Sequence, residues 1–173
     1  MSEKNVPSLS ANDSKLFDAA IELKVGDEVF YASMLTDRDF GDLDQWIKSK
    51  YINMAYEAAD LAVEEASNDR ERSSALNRRK EMIETALLSA TSIGWGSDEG
   101  WNFMMTSEGM IRLGFQFCRK RHPTLKFKEF DKEARKDVDK TVVEIDKIYG
   151  RFYPKRVKEE NTGGTPDGNS KSG

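Results

Sequence analysis

The sequence predicts a mainly α-helical protein of the α+β class, with an N-terminal β-hairpin followed by a bundle of about four helices. Three observations predict it. Alternation of period two is confined to one stretch near the start, "IELKVGDEVFYASM". Apolar residues then recur at spacings of three and four, and polar breaks rich in Gly, Pro, Asn or Ser separate those runs. The 173 residues, 38% hydrophobic and 10% aromatic, suit one domain with a modest core, and 34% charged residues imply a well-solvated surface. Residues 1–16 and 154–173 are polar and aperiodic and read as disordered tails, which leaves a single domain over residues 17–153.

In the hairpin, Ile21, Leu23 and Val25 alternate with polar residues, "GDE" supplies a turn, and Val29 and Tyr31 resume the alternation. A lone hairpin is marginally stable, so the helices must cover it. The first helix opens on a capping box, Thr36 with Asp39. Its stripe runs Phe40, Leu43, Ile47, Tyr51, Met54, Ala58, Leu61. The acidic group Asp37, Asp39, Asp42 and Asp44 fails as a calcium loop, because Asp42 stands where Gly is required and Lys48 where a bidentate Glu is required. First-turn acids are explained by the helix dipole.

A polar break, "SNDRERSS", precedes a second helix with Leu76, Ile83, Leu87 and Ala90 on its stripe and Met82, Ala86 and Ile93 beside it. Arg70, Arg72, Arg78, Arg79 and Lys80 gather positive charge here, but Glu71, Glu81 and Glu84 interleave, as on a solvated face. "GWGSDEGWNFMM" reads as an irregular loop, folded onto the core by its tryptophans or presenting an aromatic contact surface. Its glycines do not form a phosphate loop, since no GK[ST] follows. From a cap at Thr106, the third helix places Ile111, Phe115, Cys118 and His122 on one stripe, with Met110, Leu113 and Phe117 beside it. Pro123 ends that helix at His122. The last helix takes Phe127, Phe130, Ala134, Val138, Val142, Ile145 and Tyr149 at helical spacing, with Gly150 as its C-terminal cap, and "RFYP" packs back.

Cys118 and His122 are the only cysteine and histidine, and they sit one helical turn apart. On a helix buried over most of its circumference, Cys118 reads as a small core hydrophobe and His122 as a helix stop. Zinc would need further His or Cys ligands. No catalytic, metal or cofactor site is predicted, and the protein is expected not to be an enzyme. A formal net charge of −4 gives no general reason to bind nucleic acid. Without an apolar leader or a membrane-length apolar run, the chain is expected to be soluble and cytoplasmic.

The hairpin, then Leu35, Thr36, Arg38 and Asp39 in a Leu-Thr-x-Arg-Asp motif, then a helix ending in Arg119, Lys120, His122 and Pro123, resembles the tail assembly chaperones of long-tailed bacteriophages and prophages. The resemblance spans roughly residues 21–149. Two features depart from it: Lys126 stands where relatives place a capping Thr, and the tryptophan-rich segment has no counterpart. The resemblance implies a non-enzymatic factor in the bacterial host cytoplasm that binds the tape measure protein and helps recruit tail tube subunits. It also implies an extended form made by ribosomal frameshifting.

A partner for the apolar helical stripes of such a client needs an apolar groove, and methionine adapts to varied surfaces. The expected partner surface is Trp95, Trp101, Phe103, Met104, Met105 and Met110; the same residues are also read as core or as a self-association surface. The alternatives are a structural or adaptor protein of a phage particle, and a nucleic-acid-associated regulator using Arg70–Lys80 and Arg119–Lys128.

Overall fold

The computed structural model describes residues 20–154, so the expected tails, Pro154 apart, lie outside the described residues. Strand β1 (Ile21–Val25) pairs antiparallel with β2 (Glu28–Ala32). Helices follow as α1 (Asp37–Glu64), α2 (Asp69–Ser89), α3 (Asp98–Met104), α4 (Ser107–Arg119), α5 (Phe127–Ala134) and α6 (Val138–Phe152). The described chain is mainly helical with one two-stranded hairpin, as the sequence predicts, with six helices in place of about four.

The hairpin turns in two residues, with Gly26 at φ 56°. A side chain there would be strained, and its Cβ would meet the Glu133 carbonyl oxygen at 2.5 Å. This register corrects the expected alternation. Directly opposed residues share a face, and Leu23 opposes Phe30 while Ile21 opposes Ala32. Leu23, Val25, Phe30 and Ala32 are therefore buried, and Val29 and Tyr31 face outward. A one-residue difference in turn length inverts every side chain of the second strand.

Helix α4 is the centre of the core. Every residue from Gly109 to Cys118 except Arg112 is buried, against β2, α3, α5 and α6. Thr106 caps it, accepting from the Gly109 N–H at 3.1 Å. At its other end the Phe117 carbonyl, left without a helical partner, accepts from the buried Ser33 N–H at 2.8 Å, which ties the hairpin to the helix end.

The capping box of α1 forms as predicted: the Asp39 carboxylate accepts from the Thr36 N–H at 2.9 Å while Thr36 Oγ1 accepts from the Asp39 N–H. The final helix does not run unbroken. It splits between Ala134 and Val138 because the Asp137 carboxylate accepts from the Lys140 N–H at 3.2 Å and so starts a new helix. The break shifts the stripe, burying Thr141 in place of Val142. Gly150 is not the cap, since α6 continues to Phe152, which is buried and carries "RFYP" back onto the core. Lys126 precedes α5 without a side-chain cap, and the Glu129 carboxylate accepts from its N–H instead.

Helix α2 makes its main contact with α1. The distal half of α1 and the whole of α2 form a two-helix arm joined by a short turn at residues 65–68.

Candidate functional site

Cys118 and His122 hold structure. The Cys118 side chain is fully buried, and burial pushes its thiol pKa up to about 12, so the nucleophilic thiolate is suppressed. His122 Nε2 accepts a hydrogen bond from the Tyr31 N–H at 2.9 Å, its ring lies parallel to Tyr31 and stands edge-on to Phe30. An imidazole used this way satisfies the outer strand of the hairpin. No group of three or more His, Cys, Asp or Glu side chains is placed to hold a metal among the described residues.

The tryptophan segment is more regular than its glycines suggest. Ser97 Oγ accepts from the Gly100 N–H at 3.0 Å and starts α3, so the expected loop contains a short helix. Gly100 is needed there because a Cβ would collide with the Gly94 carbonyl oxygen. The Asp44 carboxylate accepts from the Trp95 N–H and pins the segment to α1. Trp95 and Trp101 stand edge-on to one another and both meet Tyr149. Phe40 and Tyr153 extend the same aromatic cluster.

The six residues expected to form a partner surface separate into three groups. Met104 and Met110 are in the core. Trp95, Trp101 and Phe103 are half-buried and lean on it. Met105 is 52% exposed. Of the six, Phe103 lines a groove that sequence reasoning did not locate. That groove, about 450 Å³, lies between α1 and the α3–α4 junction and is lined by Trp46, Lys50, Met54, Asn102, Phe103 and Glu108. A Lys50–Glu108 ion pair of 2.7 Å provides a charged rim.

A second hollow, about 630 Å³, is polar and lies between α1 and α4, with Arg38, Asp42, Gln45, Arg112, Gln116 and Arg119 on its walls. Arg119 is engaged by Asp42 and donates to Gln116 Oε1 at 2.8 Å. The Arg112 guanidinium lies over the Phe127 ring at 3.7 Å, and burial lowers its pKa. On the arm, Arg79 pairs with Asp60 at 2.5 Å.

From Met54 the apolar lining of the groove continues along the arm. Leu61 lies two turns further on the same stripe and is 54% exposed. The expected stripe of α2 is corrected here: Ile83, Ala86 and Ala90 are buried, whereas Leu76 and Leu87 are exposed along with Met82 and Leu88, so the large apolar residues spread around the helix instead of forming one stripe. Compared with family models, with curated proteins and with solved structures, the chain matches none. No helix among the described residues is long and apolar enough to cross a membrane.

Proposed function

We propose that this protein is a non-enzymatic assembly factor that holds an amphipathic helix of its client. In the reading given by the Leu35–Asp39 and Arg119–Pro123 motifs, it is a phage tail assembly chaperone. Its client is then the tape measure protein, for which it helps recruit tail tube subunits in the host cytoplasm. The observation that carries the helix-binding part is the apolar groove between Trp46, Met54 and Phe103. Amphipathic helices are held by insertion of side chains at i, i+3 or i+4 into such grooves, with polar groups at the rim setting orientation. Met54 in the groove and the exposed Met105, next in sequence to the lining residue Thr106, give the surface side chains that adapt to successive, non-identical turns of a long helix.

Co-expression of the full chain with a phage tape measure protein from the same genome tests this reading, with capture read by co-purification. Asn102→Arg would fill the groove from an exposed position, and Met105→Lys would charge its neighbourhood. Both variants should keep native helical circular dichroism and lose capture. Failure of the unaltered chain to co-purify its client, or capture that survives both substitutions, overturns the proposal.

A further inference from the structure

The polar hollow between α1 and α4 leaves positive charge unneutralised in a chain whose formal net charge is −4. Arg38, Arg112 and Arg119 line it, and Asp42 is the only carboxylate among its lining residues. Asp42 and the buried Gln116 engage Arg119. Arg38 and Arg112 form no ion pair among the described residues. The two carboxylates that pull on Arg112 from outside the hollow, Glu108 and Asp131, are held by Lys50 at 2.7 Å and by Arg135 at 2.8 Å.

Arg112 is the unusual member. Its side chain is partly buried and its Nε–H is enclosed without an acceptor. Burial outweighs the pull of Glu108 and Asp131 and lowers its pKa. A cation withdrawn from water without a partner is unfavourable, and an anion brought to it relieves that cost. The guanidinium is also fixed in place, at 3.7 Å over the Phe127 ring and 5.8 Å from the Trp46 ring. A planar cation held by its face keeps its N–H edge for an oxyanion, and a carboxylate matches that edge with two parallel hydrogen bonds. Because the fold already sets its orientation, less freedom is lost on binding.

The source of the carboxylate is indicated by the neighbouring groove. Along one face of α1, Arg38, Asp42 and Gln45 line the hollow, and Trp46, Lys50 and Met54 continue into the apolar groove. Helix α4 runs antiparallel beside them: Asp42 meets Arg119, Trp46 meets Arg112, and Lys50 meets Glu108. Hollow and groove are therefore two ends of one trough with Trp46 as the shared wall. Asp42 and Lys50, near the middle of the two ends, lie about 12 Å apart along the helix axis, or about two turns.

We propose that the hollow takes an Asp or Glu carboxylate from the same client helix whose apolar side chains fill the groove, with Arg112 and Arg38 as its receivers. The inference rests on the helix-binding reading above and adds a requirement to it: the client helix carries an acidic residue about two turns from its apolar anchors. The basic end also fixes which way round the helix lies. Reversed, its carboxylate would pass Met54 and approach the turn of α1 that carries Glu57.

Two measurements on the full chain test this. In the first, the Arg112 Nε–H signal is followed by NMR as propionate, the carboxylate end of a Glu side chain, is added; the signal should shift and saturate. In the second, affinity for the captured client is measured at low and high salt. Arg38→Gln, at an exposed position, and Arg112→Met, which keeps an apolar stem over Phe127, should each weaken binding about tenfold at low salt and much less at high salt, as loss of a charged contact does. Changing the paired acidic residue of the client to Gln should add nothing further in the Arg112→Met background. Should Arg112→Met fail to fold, Arg38→Gln and the titration decide. Affinity that both arginine variants leave unchanged, while Asn102→Arg still abolishes capture, overturns the inference and keeps the groove reading. A saturating titration with no capture by the unaltered chain overturns the client as the source and leaves a free carboxylate as the ligand. An Arg112 signal that propionate does not move overturns the site itself.

Discussion

The two halves of α1 carry the same apolar pattern and meet opposite surroundings. In the first half, Leu43 and Ile47 are fully buried under α4 and the tryptophan segment. In the second, Met54 and Leu61 continue the stripe and stay more than half exposed. The difference teaches that helical periodicity states which face of a helix is to be covered and is silent about what covers it. For the first half the cover comes from the same chain. For the Met54 end of the second it comes, in the function proposed above, from a client helix in the groove.

The contrast is tested most strongly by paired truncations. Leu43→Ala should cost about 2–5 kcal/mol, because a fully buried leucine leaves a cavity. Leu61→Ala, measured by urea denaturation, should change stability by less than about 0.5 kcal/mol, because the side chain is more than half exposed. Comparable losses would show that the arm is packed as firmly as the body.

Alkaline pH should act next, and on the body. Burial raises the Cys118 thiol from 9.0 to about 12 and is the main cause raising the Tyr153 phenol from 10.0 to about 12. Both groups are held neutral in the fold. Their contribution is fully present below pH 9, the unfolded thiol value, and is lost as pH rises through the folded values near 12. The melting temperature should therefore fall between pH 9 and 12, and Cys118→Ala should make that fall shallower; an unchanged slope would remove the thiol from the account.

Helix caps make a finer comparison. Thr36 starts α1 on the body and Asn68 starts α2 at the tip of the arm, each accepting from a backbone N–H in the first turn. Either change to alanine removes about 1 kcal/mol of local helix stability. Thr36→Ala should lower the global denaturation midpoint, whereas Asn68→Ala should speed hydrogen exchange around residues 69–75 with little global change, since arm and body open separately. A common global shift would join them into one cooperative unit. The smallest effect belongs to the exposed Lys80–Glu84 pair at 3.9 Å: Lys80→Ala should leave the denaturation midpoint unmoved.

Much of the fold was legible because its signals are local. The Thr36–Asp39 capping box, the Thr106 cap, the helix stop before Pro123 and the core placement of Cys118 each follow from a few neighbouring residues, and each is found in the structure. Three of the misreadings turn on a competition that periodicity does not resolve. Turn length decided which face of β2 is inward, the Asp137 side chain broke a stripe that spacing alone would continue, and the Ser97 cap made a helix inside a glycine-rich segment. For the candidate site, the sequence identified the aromatic and methionine-rich segment but not that Met104 and Met110 turn inward, nor that Phe103 meets Trp46 and Met54 in a groove.

By itself, then, the order of residues determined the class of fold, the start of most helices and the structural use of the lone cysteine and histidine. These depend on hydrogen bonds and hydrophobic spacing within a few turns of chain. The tertiary structure alone decided that one half of α1's stripe is core and the other half surface. Burial is a property of what a side chain lies against: the body reaches Met54 only as one wall of an open groove, and beyond it α2 covers one side of the distal helix and leaves Leu61 exposed.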